Sequence, residues 1–338
     1  MMYGAGDLRI DEELFDLGTL GATEIFVKTE FSGLSTGTDL GNFEGRSTEV
    51  PGAPDYPRPV GYSNVGIVAA VGQDVSKFRV GDRVFGVKAH RSAYVAKEDE
   101  FVIPVPAGVA ADQASLGYLV HLGVVSLRQA HYQAGENVAV VGLGIIGLAT
   151  ISVARAMGAR VIAVSNSEQR AELARRMGAL DVLMTGDGNL SSVFGGVGAD
   201  IVVNTANSWG AWQDSMELAR YCGRVTVLGF PGRAQEPPPF NPLDARWLYA
   251  KQLSINGSGF LPKVDCSPSE IRFNLRRNLQ YVLDLMAQGS VDLAPAISHR
   301  FPYQRMREAY ELAAQRAKDF SAAVFDWREA STAFQRQC

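Results

Sequence analysis

The chain has 338 residues, 46% of them hydrophobic and 20% charged, with 32 basic against 36 acidic side chains and a formal charge of −4. High apolar content with a small net charge excludes intrinsic disorder, and the lack of a basic excess argues against a dedicated nucleic-acid binder. The length suggests about two domains.

Residues 25–31, 65–71 and 83–87 are short runs rich in β-branched and aromatic residues, separated by turn signals at Gly72-Gln73-Asp74, Gly81-Asp82 and the proline-rich stretch 51–59. Strands at this spacing without intervening helices predict a compact β-barrel-like domain. Helical spacing begins at 110–130, and strands then alternate with helices. Strands are expected at 138–141, 160–164, 201–203, 224–228 and 253–255, with helices at 148–157 and 168–177. Unbroken apolar strands alternating with helices imply a parallel sheet covered on both faces. Beyond about residue 262 the pattern is mixed, with amphipathic helices at 278–288 and 303–315 and a closing strand at 321–325, so the first domain reads as bipartite.

Cys222, Cys266 and Cys338 are too few and too scattered for a disulfide framework or a structural zinc site, and they point to a reducing cytoplasm. No signal peptide is apparent at the N-terminus. The most apolar segment, 138–154, is short for a membrane span, so no membrane partner is expected, and its glycines have another explanation.

That segment begins Val138-Ala139-Val140-Val141-Gly142-Leu143-Gly144-Ile145-Ile146-Gly147. It is a strand, a glycine-rich turn and a helix start, the arrangement that cradles a dinucleotide. Gly142 permits the tight turn, Gly144 lets the backbone approach the pyrophosphate, and Gly147 allows close helix–strand packing. The helix N-terminus, with Ile145 and Ile146 in its first turn, offers free N–H groups to phosphate. An NAD site usually places a carboxylate at the end of the next strand. Here that position holds Ser165, followed by Asn166, Ser167 and, further on, Arg170. Hydroxyls, an amide and a guanidinium suit a 2′-phosphate, so NADP(H) is the expected cofactor. Alternatively, Ser165–Ser167 caps the helix that begins near Glu168. Asn204-Thr205-Ala206, Leu228-Gly229-Phe230 and Gly257-Ser258-Gly259 end later strands and are expected to line the cofactor as well.

These motifs, together with Gly61-Tyr62-Ser63-Asn64-Val65-Gly66, Val80-Gly81-Asp82-Arg83-Val84, Met177-Gly178-Ala179 and Ile297-Ser298-His299-Arg300-Phe301, resemble the medium-chain dehydrogenase/reductases, the zinc-type alcohol dehydrogenase superfamily, over nearly the whole chain. The resemblance implies an α/β fold: a Rossmann doubly wound parallel sheet plus a GroES-like β-barrel catalytic domain. The implied domains are 1–115 for the first part of the catalytic domain, 116–262 for the dinucleotide-binding domain and 263–338 for the return segment. It also suggests a homodimer.

The departures from the family pattern bear on chemistry. Thr36 stands where zinc-dependent relatives carry a cysteine ligand, Gly41 where a relay histidine often lies, Tyr62-Ser63 where His-Glu is usual, and Tyr118 near the third ligand. The four-cysteine structural lobe is absent. No zinc is therefore expected. Candidate catalytic groups are Tyr62, Tyr118, Thr36, Thr38 and His121, with the phenols as hydrogen-bond donors to an oxyanion. Packing alone is the competing role for each tyrosine, and a core position for His121. Asp39, which in zinc enzymes supports a histidine ligand, is expected to bind Tyr62 or Arg83. The leading expectation is a zinc-independent NADPH-dependent oxidoreductase acting on a polarised C=C bond (enone or quinone) of a small molecule. A metal-free carbonyl/alcohol dehydrogenase of specialised metabolism and a non-catalytic nucleotide-binding redox sensor are the alternatives.

Overall fold

The structure is a computed structural model and describes all residues except 14–15, 47–54, 187–189, 233–234, 260–271 and 334–338. Cys266, Cys338 and the expected boundary at residue 262 lie outside the described residues. The chain forms two compact units. One comprises Met1–Tyr118, Pro262–Gln288 and Ile297–Cys338, the other Leu119–Leu261 and Gly289–Ala296.

In the first unit the strands are β1 (Met2–Gly4), β2 (Asp7–Leu8), β3 (Glu24–Gly33), β4 (Asn64–Val71), β5 (Arg83–Gly86), β6 (Ala93–Lys97) and β7 (Val102–Pro104). β1 and β2 form a separate two-stranded ribbon. β3 organises the main sheet because its ten residues are long enough to serve several partners. Residues 25–32 pair with β4, while residues 24–28 pair with β6 and 31–33 with a later strand, Ala322–Asp326. The inward side chains Ile25, Val27, Val68, Val84, Tyr94 and Val102 form one apolar core. A second core gathers Leu34, Leu40, Phe301, Tyr310, Phe325 and Trp327.

In the second unit the strands are β8 (Asn137–Val141), β9 (Arg160–Ser165), β10 (Asp181–Met184), β11 (Ala199–Asn204), β12 (Ala219–Val227) and β13 (Ser254–Gly257). They pair in the order β10-β9-β8-β11-β12-β13, and every pairing is parallel. This is the doubly wound order expected of a dinucleotide-binding sheet, with its topological switch between β8 and β11. Consecutive residues Val138–Val141 and Ile201–Val203 are all buried, so both faces of the central strands are covered.

The first helix of this sheet, Ile145–Ala156, begins directly at the glycine turn, three residues earlier than periodicity suggested. The helix Trp209–Leu218 escaped the sequence reading, although Ser208 caps it by accepting from the Ala211 N–H and Ala211, Trp212, Ser215 and Met216 face the core at helical spacing. The return segment is discontinuous. Gly289–Ala296 belongs to the second unit, where Ala294–Ala296 packs on the helix Glu168–Arg176. Two further strands, β14 (Ile297–Pro302) and β15 (Ala322–Asp326), pair in parallel and complete the first unit's sheet. Cys222 is exposed. Among the described residues no helix is long and apolar enough to cross a membrane.

Candidate active site

The second unit holds the dinucleotide turn. Gly142 has φ +91°, a conformation that glycine enters without strain, and a side chain there would meet Ala206 Cβ and Thr205 Oγ1 at 2.9 Å. A Cβ on Gly147 would lie 1.9 Å from the Gly142 carbonyl oxygen. Gly144 differs from both. It is the helix N-cap, has φ −72°, makes no side-chain cap bond, and has no atom within 4 Å of where a Cβ would stand. The neighbouring carbonyls are tied back into the protein: Thr205 Oγ1 donates to Gly142 O at 2.8 Å, and Arg170 Nη1 donates to Leu143 O at 2.5 Å. The helix start thus has uncapped N–H groups facing open space, which suits a phosphate.

At the end of β9, the Ser165 hydroxyl donates to Ser167 O (2.8 Å) and accepts from Ser167 N (3.1 Å), so it shapes its own loop. Asn166 is exposed, as is Glu168 in the first helical turn. Ser167 occupies the N-cap without making a side-chain cap bond, so capping does not account for this serine. Its Oγ and Asn204 Nδ2, at the end of β11, are buried and have no hydrogen-bond partner in the structure. Unsatisfied polar atoms at the ends of the two strands that flank β8 fit a polar ligand there. Leu228 N and Gly229 N both donate to Asn204 O, and a Cβ on Gly229 would lie 2.2 Å from Ala206 O, so these two loops touch. Phe230 is 56% exposed. One strand further out, Gly257 and Gly259 border open space, and Ser258 is buried with its Oγ 2.9 Å from Ser126 Oγ. His121, on the helix Gly117–Gln129, is 1% exposed.

The first unit holds a cluster of hydroxyls. Tyr62 is half-buried, with Ser35 and Thr38 hydrogen-bonded to its hydroxyl in the sense that favours charge on the phenolic oxygen. Its ring meets Tyr118 edge-on at 4.8 Å. Burial, aided by the Asp39 charge, pushes the Tyr62 phenol well above its ordinary range, and burial likewise raises Tyr118. Thr36 is half-buried and Thr38 exposed at the start of the helix Thr38–Phe43. Asp39 binds neither Tyr62 nor Arg83 through a hydrogen bond. Its carboxylate accepts from Ser35 N and Gly61 N, while Arg83 pairs with Glu30 at 2.6 Å. Sequence reasoning missed Ser35, His90 and Tyr310 in this cluster. His90 lies in a segment that drew notice only for its missing cysteines.

Among the described residues no three His, Cys, Asp or Glu side chains converge, and the Tyr62, Ser35 and Thr38 hydroxyls are not the thiolate and imidazole donors that hold zinc.

Residues 21–123 match the alcohol dehydrogenase GroES-like domain, and residues 146–273 match the zinc-binding dehydrogenase family. An L-threonine 3-dehydrogenase of Saccharopolyspora erythraea is 28% identical over 91% of this chain and 93% of its own length. Another, from Bacillus licheniformis, is 33% identical, but that match spans 61% of this chain and only 56% of the relative. Among solved structures, a Sinorhizobium meliloti protein bound to NADP superposes with TM-score 0.75 (20% identity, 96% and 97% coverage). An alcohol dehydrogenase of Escherichia coli complexed with NADH superposes with TM-score 0.76, at the same identity and coverage. At that identity the likeness speaks for the fold. Two domain matches in the expected order, each lying mostly on one compact unit, join with this fold to one conclusion: the chain belongs to the zinc-type alcohol dehydrogenase superfamily of medium-chain dehydrogenase/reductases.

Proposed function

We propose that this chain is an NADPH-dependent oxidoreductase that works without zinc and reduces a polarised C=C bond of a small molecule, with Tyr62 as the hydrogen-bond donor to the substrate oxygen. The observation that carries the reading is the state of Tyr62. A phenol raised by burial stays protonated throughout the neutral range, so it donates well and is a poor base. With Ser35 and Thr38 directed at its oxygen, its own proton is available to a carbonyl oxygen. When bound, the reduced nicotinamide supplies a hydride. As hydride adds to the β-carbon of an enone, the C=C electron pair moves toward the carbonyl and negative charge grows on its oxygen; Tyr62 stabilises that enolate without surrendering its proton, and the α-carbon takes its proton from solvent water. Tyr118 holds the Tyr62 ring edge-on, and Thr36 follows Ser35 in the same loop.

The cofactor is held by the uncapped helix start at Gly144–Gly147, with Thr205 and Arg170 keeping the turn in shape. Asn166 and the Arg170 guanidinium take the 2′-phosphate, and Ser165 serves by fixing the loop. Asn204–Ala206, Leu228–Phe230 and Gly257–Gly259 face the remainder of the dinucleotide. The absence of a carboxylate at Ser165 supports NADPH over NADH.

A second reading, a secondary-alcohol or polyol dehydrogenase, is favoured by the similarity to L-threonine 3-dehydrogenases. It requires a base, and the raised Tyr62 phenol supplies none near neutrality. A panel of enones, quinones, ketones and secondary alcohols with NADPH and NADP+ separates the two. Turnover confined to enones or quinones supports the first, and alcohol oxidation replaces it with the second. Tighter binding of NADH than NADPH removes the cofactor assignment, and stoichiometric zinc by elemental analysis of the purified protein removes the metal-free one.

A further inference from the structure

Behind Tyr62 lies a second tier of buried polar groups. The Asp39 carboxylate, 1% exposed, accepts Ser35 N at Oδ2 (3.0 Å) and Gly61 N at Oδ1 (2.9 Å). One carboxylate therefore ties the loop bearing Ser35 and Thr38 to the loop bearing Tyr62. The side chain facing Oδ2 is His90, whose Nε2 lies 3.7 Å away and whose side chain is also 1% exposed. The ring is fixed on three sides. Nδ1 lies 2.8 Å from Ser32 Oγ, the ring meets Phe325 edge-on at 4.9 Å, and Gly61 backs onto it so closely that a Cβ would sit 2.6 Å from the ring carbons.

The neighbours favour one tautomer. Trp327 Nε1 donates to Ser32 Oγ at 2.8 Å, and an indole nitrogen can only donate. Ser32 Oγ accepts there and has both a proton to give His90 Nδ1 and a second lone pair to receive one, so that 2.8 Å contact fits either tautomer. The Asp39 carboxylate decides: the ring carries its hydrogen on Nε2, which makes no hydrogen bond in the structure and lies 3.7 Å from Oδ2. The opposite tautomer would set a lone pair against a buried carboxylate, an arrangement that burial makes costly.

We infer that His90 and Asp39 form a buried dyad, oriented by Ser32 and Trp327, that positions Tyr62 and its two hydroxyl partners for the reaction. His90 acts through Asp39 and the two backbone N–H groups that Asp39 holds, so it is a positioning residue. The role rests on the assignment of Tyr62 as donor to the substrate.

Two measurements test it. The chain contains four histidines, so long-range 1H–15N spectra of protein labelled with [15N]histidine resolve each tautomer. His90 is expected as Nε2–H, and Asp39→Asn, which removes the charge facing Nε2, is expected to mix the tautomers. His90→Phe keeps the ring packing and removes both nitrogens. It should lower kcat about tenfold to a hundredfold with KM and NADPH affinity little changed, and His90→Gln, whose amide nitrogen can reach the Nε2 position, should restore most of the loss. An Nδ1–H tautomer overturns the dyad. So does wild-type turnover by His90→Phe when Tyr62→Phe is slow, or His90→Gln as slow as His90→Phe when circular dichroism shows both folded. Wild-type turnover by Tyr62→Phe overturns the Tyr62 assignment itself, and the positioning role with it, even where the tautomer is as expected.

Discussion

Replacing Gly144 and Gly147 by alanine separates room for a ligand from room for the fold. Gly144 has φ −72° and ψ −177°, a conformation open to any residue, and its Cβ would enter empty space. In Gly144→Ala the reduced freedom of the unfolded chain contributes about 0.4–1 kcal/mol, and loss of the favoured N-cap glycine costs a similar amount. The two offset each other, so Tm should stay within about 2 °C of the parent. The methyl group nevertheless occupies the approach assigned to the pyrophosphate, and NADPH affinity should fall at least about tenfold, or about 1.4 kcal/mol. Gly147→Ala should do the reverse. Its Cβ would lie 1.9 Å from Gly142 O, so the helix and strand must part, at a cost of about 1–3 kcal/mol. Each kcal/mol lowers Tm by roughly 2–4 °C. Thermal melts and titration of NADPH fluorescence read both variants. Wild-type NADPH affinity in Gly144→Ala would refute the placement of the pyrophosphate over this turn, and a loss of several degrees there would refute the claim that the space is open.

Gly61→Ala should destabilise the first unit by roughly 2–4 kcal/mol, because φ is +83° and the new Cβ would press on the His90 ring; chemical denaturation checks the value. Tyr62→Phe should slow turnover while leaving NADPH binding unchanged. In the parent enzyme kcat should show no titration attributable to Tyr62 below about pH 10, since burial keeps that phenol protonated, and a basic limb near neutrality in a pH–rate profile would contradict this. Asp214 is pushed up to about 6 by burial and by the charge of Glu217. Its folded value is raised, so the folded state binds the extra proton between the ordinary carboxylate range and pH 6, and stability declines as pH rises through that window. Asp214→Asn should therefore stabilise the protein at pH 8 by about 1 kcal/mol, reduced by the group's partial exposure, and by little at pH 4. Equal gains at both pH values would contradict the linkage.

Local order was legible where a signal is repeated in neighbouring residues. The β8 strand, the glycine triplet and the helix that follows are specified within twenty residues, since the positive φ of Gly142 and the closeness of Gly147 to Gly142 O are local, although Gly142 also abuts Thr205 and Ala206. Five of the six parallel strands were visible as apolar runs, while β10, four residues at the sheet edge with an exposed Asp181, was not. Trp209–Leu218 was missed because Gly210 and scattered polar residues blur its period, although its Ser208 cap was there to be read. The paired tyrosines could be named from their places in the family pattern. Their state could not, because burial and the Ser35 and Thr38 hydroxyls set it.

The sequence by itself determined the glycine-rich turn after β8, most of the parallel strands and the hydroxyl-rich loop Ser35-Thr36-Gly37-Thr38. Each rests on residue type at short spacing, where backbone sterics and side-chain chemistry act directly. Tertiary structure decided which buried groups face one another. Ser32, Asp39, Gly61, His90 and Trp327 are separated by up to 295 residues, yet they share one hydrogen-bonded cluster, because β3 brings β15 and its flanking residues alongside the start of the chain. Orientation within such a cluster depends on which donors are already committed, and that is a property of the assembled neighbourhood.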